Sequence, residues 1–134
     1  MKCSQVMSRD VKTVKTTDDV FYAARLMRQH EIGLLPVNDE HGRLAGVVTD
    51  RDLAVNVCAG NREAIDTQVG DVMTRPVITC LAAQTVAHVE REMVVHGLRR
   101  IVVVDGRHHV VGVVSRTDLT RAATEAVADV DAAR

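Results

Sequence analysis

Aromatic side chains are nearly missing from this 134-residue sequence: Phe21 and Tyr22 are present and tryptophan is not. That scarcity argues against a protein that stacks single-stranded bases on aromatic rings. An excess of charge is also lacking, since 17 Lys and Arg face 18 Asp and Glu for a net charge of −1. Coating of a nucleic-acid duplex needs a basic face, so no nucleic-acid partner is expected. Cysteine is limited to Cys3, Cys58 and Cys80, an odd count without a Cys-x-x-Cys pair. A disulfide framework or structural zinc site is not indicated, and three reduced thiols are expected. Cys3 is placed near a mobile terminus, which leaves an intermolecular disulfide as the alternative. No apolar run approaches the roughly 20 residues of a membrane span. The leading MKCSQVMSRD lacks a signal-peptide core, so a cytoplasmic location without a membrane partner is expected.

What remains is an ordinary globular balance, 46% hydrophobic and 26% charged. The length suits one compact domain or two small units sharing a core. An internal repeat decides for the second. Gly46-Val47-Val48-Thr49 returns as Gly112-Val113-Val114-Ser115, 66 positions later. The same offset relates Val6-Met7 to Val72-Met73, His30 to His96, Asp39 to Asp105, and Asp52-Leu53 to Asp118-Leu119. Ungapped alignment of 3–54 with 69–120 gives 16 identities in 52 positions, the mark of an internal duplication. The expected organisation is a first repeat over 1–60, a linker over 61–68, a second repeat over 69–122 and a C-terminal tail over 123–134.

Each repeat reads in one order. A short strand (12–15, 77–80) precedes an amphipathic helix capped near Thr17-Asp18 or near 83–85. In the first helix Val20, Ala23, Ala24 and Met27 form one apolar stripe. Two apolar runs then flank a polar turn in each repeat, 34–37 with 44–48 and 101–104 with 110–114, predicting hairpins. A last helix starts near Asp50 or Arg116. The unit is β-α-β-β-α, twice, an α/β chain. Because the strands are apolar at successive positions, both sheet faces are expected to be covered. Pairing of the repeats about a pseudo-twofold axis would supply the cover that units of this size lack alone.

The most informative pattern is Gly-hydrophobic-hydrophobic-[Ser/Thr]-x-x-Asp, at 46–52 and again at 112–118. One reading is a helix cap: a hydroxyl at the N-cap and an acid three residues later serve each other and the helix dipole. That reading accounts for Thr49/Asp52 and Ser115/Asp118 but not for the glycine, which weakens a strand. A glycine there indicates close approach of a ligand or of another backbone. Adjacent His108-His109 near a turn, with His41 in the first copy, read as solvated turn residues rather than metal ligands. His30 and His96 suit helix C-termini.

With the duplication, the element order, both motif copies, the Val-Met pairs, Met-Thr-Arg-Pro-Val at 73–77 and Leu-Pro-Val at 35–37, the sequence resembles a tandem CBS-domain protein, or Bateman module. The resemblance implies two repeats packed with pseudo-twofold symmetry and no catalysis. It implies binding of adenosine-containing ligands (AMP, ADP, ATP, NAD or S-adenosylmethionine) in clefts between the repeats, with no obligatory cofactor. By motif position, Asp52 and Asp118 would accept ribose hydroxyls, and Thr49 and Ser115 would meet the phosphate or ribose. Arg51, Arg116 and Arg100 are candidates for phosphate. Adenine would lie between aliphatic walls, Val11 to Val14 with Pro36 and Val37 in one repeat, and Val77 to Thr79 with Val102 and Val103 in the other. Val102 stands where the family carries the proline that Pro36 supplies, a departure that weakens the expectation for the second wall.

Three functions compete. The favoured one is a regulatory adenosine-ligand sensor, AMP or ATP first, whose output passes to a partner protein because the repeats consume the chain. The alternative is a structural or stress-related homodimer with empty clefts. An enzyme fares worst, since no nucleophile–base pair or metal-ligand set recurs at useful spacing. A homodimer is expected in either of the first two cases, from the helix stripes at 20–27 and 86–93.

Overall fold

The computed structural model describes residues 1–132, with side chains described as far as residue 128. The first repeat contains β1 (Val14–Lys15), α1 (Val20–His30), β2 (Leu34–Asn38), β3 (Leu44–Thr49) and α2 (Asp50–Leu53). After a π-helical turn at Ala54–Cys58 and a 3-10 turn at Ala64–Asp66 come α3 (Val69–Val72), β4 (Thr79–Leu81), α4 (Val86–Val95), β5 (Arg100–Val104), β6 (Val110–Ser115) and α5 (Arg116–Ala132). The expected β-α-β-β-α order is present twice. The strands form two three-stranded sheets, β1-β2-β3 and β4-β5-β6.

Local chemistry sets the element ends. Asp19 caps α1 by accepting from Tyr22 N at 2.7 Å, and Thr85 caps α4 by accepting from His88 N at 3.1 Å. The cap of α1 therefore falls one residue past the predicted Thr17-Asp18, and that of α4 at the late edge of its predicted region, 83–85. Glu31, at the C-cap of α1, turns the chain with a φ of 53°. β1 lies parallel to β2 with Val14 opposite Val37, and β4 lies parallel to β5 with Thr79 opposite Val102. Burial distinguishes the strands more finely than composition does. In β2 and β5 successive residues are buried, as expected for covered faces, whereas β3 alternates, with Leu44, Gly46 and Val48 in and their neighbours half-out. β6 alternates over its second half in the same way. Burial of successive residues is thus confined to the central strand of each sheet, whereas the third strand has one face covered and the other half-exposed.

The chain divides into two compact units. One comprises Lys12–Val77 with Arg107–Val110; its core gathers Val14, Val20, Ala23, Met27, Leu35, Val37, Val48 and Val57. The stretch expected as a linker is fastened onto this unit: Val20 N donates to Thr67 O at 2.8 Å, Val69 N to Asp18 O at 2.8 Å, and Thr67 is buried. The other comprises Met1–Val11, Ile78–Gly106 and Val111 onward, around Cys3, Cys80, Val89, Met93, Ile101, Val103 and Val114. Cys3 is thus wholly buried in a core, not exposed at a mobile terminus. The tail residues through Ala132 continue α5; the last two of the 123–134 segment lie outside the described residues.

The helix stripes are covered by the chain itself. Val20, Ala23 and Met27 of α1, and Val89 and Met93 of α4, are all buried. Ala24 and Val86 of the same stripes remain half-buried. The apolar residues left outside are others: Phe21 and Tyr22 on α1, and Val94 and Val95 on α4, the last two about 70% exposed.

Candidate functional site

Each copy of the repeated motif spans the end of one strand and the start of one helix, and both copies fold alike. In the first, Thr49 Oγ1 accepts from Asp52 N at 3.1 Å while Asp52 Oδ2 accepts from Thr49 N at 2.9 Å. In the second, Ser115 Oγ accepts from Asp118 N at 3.1 Å and Asp118 Oδ2 from Ser115 N at 2.9 Å. The capping box is therefore built twice, which fixes the rotamer of each carboxylate. One oxygen of each acid is committed to the cap, and Oδ1 is turned to something else. For Asp52 it accepts from the Thr74 hydroxyl at 3.0 Å, a donor shared with Oδ2 at 3.1 Å. For Asp118 it pairs with the guanidinium of Arg121, one turn along α5.

The motif glycines have a physical reason that the sequence left open between a ligand and a backbone. A second backbone is what comes close. Ser8 N donates to Val113 O at 2.9 Å and Val113 N to Ser8 O at 3.0 Å. One repeat unit later, Thr74 N donates to Val47 O at 2.7 Å and Val47 N to Thr74 O at 3.1 Å. These short antiparallel bridges lay Met7 over Gly112 and Met73 over Gly46. A Cβ on Gly46 would stand 2.9 Å from Thr74 O, closer than such atoms come. The repeated Val-Met pair and the repeated glycine are thus two halves of one contact, crossed so that residues 6–8 complete the second motif and 72–74 the first.

The other predicted residues fall into two groups. Around the second motif, Arg116 N donates to Arg99 O at 3.0 Å, and Arg116 Nε donates to Leu98 O at 3.2 Å. The start of β5, with exposed Arg100, is therefore brought beside Ser115 and Arg116. At the same place in the first repeat, Asp50 N donates to Gly33 O at 3.0 Å, and the Asp50 carboxylate covers Gly33. Arg51 is exposed. The aliphatic wall residues divide by burial. Val14, Pro36, Val37, Val102 and Val103 are all but inaccessible, with Val14 and Val37 in one core and Val103 in the other. Their side chains are spent on packing. Val11, Val77 and Thr79 are half-buried and keep surface to offer.

Two residues beside the carboxylates escaped the sequence reading. Arg121 carried a usable signal, its i,i+3 spacing from Asp118 on one helix. Thr74 carried none, because its contact with Asp52 spans 22 residues.

An open cleft lies elsewhere, at the polar end of the first sheet. It encloses about 940 Å³ against Thr13, Lys15, Asp18, Asp19, Tyr22 and Asp39. Its carboxylates already serve backbone donors: Asp18 accepts from Lys15 N, Asp19 from Tyr22 N, and Asp39 from His41 N and Arg43 N. It is a turn-and-cap surface in which Lys15 stands among several carboxylates, Asp18, Asp19, Asp39 and Glu40. A smaller cleft of about 360 Å³ includes Arg116 with Met93, Val94 and Leu119.

Comparison with known proteins agrees with this geometry. The family model described as CBS domain matches residues 3–57 and 69–125. The chain is 34% identical over 87% of its length to L-aspartate semialdehyde sulfurtransferase of Methanocaldococcus jannaschii, and spans 22% of that protein. Among solved structures it resembles the CBS domain pair of protein MJ0100 in complex with 5-methylthioadenosine and S-adenosyl-L-methionine. That likeness has a TM-score of 0.79 and 31% identity, covering 93% of this chain and 97% of the other. It also resembles CBSX2 in complex with AMP, with a TM-score of 0.81 and 26% identity over 92% and 96% of the two chains. With both repeats matched and both motifs folded, the chain belongs to the CBS domain family.

Proposed function

We propose that this chain is a regulatory module that senses adenosine-containing ligands and passes their binding to a partner protein, without catalysing a reaction. The observation that carries the reading is the repeated acid whose second oxygen is held at the surface by a replaceable partner, the Thr74 hydroxyl for Asp52 and the exposed Arg121 for Asp118. A ribose diol can take the place of either partner, because its hydroxyls can donate to the same carboxylate oxygen, as the Thr74 hydroxyl and the Arg121 N–H do. Support comes from the relatives: a CBS pair 31% identical to this chain was solved with two adenosine derivatives, and another with AMP.

The two sites differ in charge, and that supports a division of ligands. Arg99, Arg100, Arg116 and Arg121 gather around Asp118, whereas Gly33, Leu34, Asp50 and Val55 hold the equivalent positions around Asp52. A phosphorylated ligand, AMP or ATP, suits the second repeat; an uncharged or cationic adenosine derivative, of the S-adenosylmethionine kind, suits the first. Adenine packing falls to Val11, Val77 and Thr79 and to backbone groups. The chain acts as a homodimer through the exposed valines of α4 and the aromatic pair of α1, in the cytoplasm.

Calorimetric titration with AMP, adenosine and S-adenosylmethionine tests the reading. Binding of AMP in preference to adenosine, with a preference that salt weakens, is the expected result. A protein that binds none of the three is a structural dimer with capped helices.

A further inference from the structure

Cys3 and Cys80 are 77 residues apart in sequence, yet their sulfurs lie 3.7 Å apart inside one core, with no metal-binding group of three or more among the described residues. Both thiols are free and buried, while Cys58 is free and exposed. The contact joins the first turn of the chain to β4. Cys3 N donates to Gln84 O at 2.7 Å and Ser4 N to Ala82 O at 2.9 Å, so the segment is already aligned along the β4–α4 connection. The same segment runs on to Met7 and Ser8, which complete the second motif at Gly112 and Val113.

We propose that Cys3 and Cys80 form a reversible disulfide clasp that locks the N-terminal segment onto the second repeat. The oxidant is a low-molecular-weight disulfide of the glutathione class. The Cys3 thiolate attacks one oxidant sulfur and expels a thiolate, leaving a mixed disulfide on Cys3. Cys80 gives its proton to the expelled thiolate and attacks the Cys3 sulfur, which releases the second small thiolate to take up the proton that Cys3 had lost to water. Two protein thiols and one small disulfide become one protein disulfide and two small thiols. The sulfurs need to close from 3.7 Å to about 2.05 Å.

The order of attack follows from the pair itself. The contact with the Cys80 thiol, in which either sulfur can donate, holds the Cys3 thiol below its ordinary range against the effect of burial. The same partnership, with burial, pushes Cys80 up. Cys3 is the nucleophile and Cys80 the resolving thiol. Because both are buried, the 2–5 segment must open first, so the reaction is slower than capping of Cys58.

The test uses the Cys58→Ser chain, which removes the exposed thiol, treated with glutathione disulfide and mapped by peptide mass spectrometry. Expected is a single cross-link between the Cys3 and Cys80 peptides within one chain, with a rise in melting temperature that dithiothreitol reverses. In a second variant, Cys80→Ala, oxidation should stop at glutathione bound to Cys3. The clasp is refuted if both thiols survive an exposure many times longer than the one that fully caps Cys58 in the parent. A cross-link between chains, or an oxidised protein that melts no higher than the reduced one, refutes it equally.

Discussion

Met7 sits where a side chain on Gly112 would have to go: its sulfur lies 2.6 Å from the position a Cβ would take, and Ser8 O lies 3.0 Å away. Met73 and Thr74 stand in the same relation to Gly46, at 2.8 and 2.9 Å. The glycine is the space the crossing backbone needs, and the methionine fills what the glycine leaves.

Alanine at either glycine should therefore destabilise the protein by about 1–3 kcal/mol, the range for overpacking a filled core. The two positions should respond differently to relief. Met7→Ala removes the closest atom at Gly112, so the double variant should lose less than the sum of the single losses. At Gly46 the Thr74 carbonyl stays in place, and Met73→Ala should rescue little. Denaturant titration of the two double-mutant cycles measures both differences.

Ligand affinity and cap stability can be separated at the motif acids. Asp118→Asn and Asp52→Asn keep an oxygen for the capping bond, so each should cost below about 1 kcal/mol in stability. Each should weaken its own site by about 1.5–3 kcal/mol, roughly tenfold to a hundredfold, through loss of a charged acceptor. Arg100→Ala should remove most of the preference for AMP over adenosine and leave stability nearly unchanged, because the side chain is exposed. Calorimetry beside thermal melting reads all three. Lower melting with unchanged binding would return the motif to a purely structural role.

The first hairpin gives a pH dependence with a definite sign. Asp39 accepts from Arg43 N at 2.9 Å and His41 N at 2.8 Å. The Arg43 N–H, with the His41 N–H beside it, holds its carboxyl below the ordinary range despite some desolvation. A folded-state value below the unfolded one means the stability it contributes is present at neutral pH and is lost as pH falls through the folded value. The melting temperature of the parent should exceed that of Asp39→Asn at pH 7, and the gap should close below about pH 4. A gap that stays constant down to pH 2 would show that the turn does not depend on the charge.

Sequence alone determined the repeat, the order of its elements and the four motif residues, Thr49, Asp52, Ser115 and Asp118. Periodicity and capping act over three or four residues, and a duplication makes each local pattern visible twice. It also exposed the contrast between Arg99-Arg100 and Gly33-Leu34, because charge needs no fold to be seen. Tertiary structure alone decided what the glycines are for, since Ser8 reaches Val113 across the length of the chain. It decided that Val14, Val37 and Val103 are buried in the two cores, because an apolar run does not say which of its residues a partner strand covers. It also placed Thr74 on Asp52 and Cys3 against Cys80. Contacts of such separation leave no periodic trace; they exist because two distant segments bury the same surface.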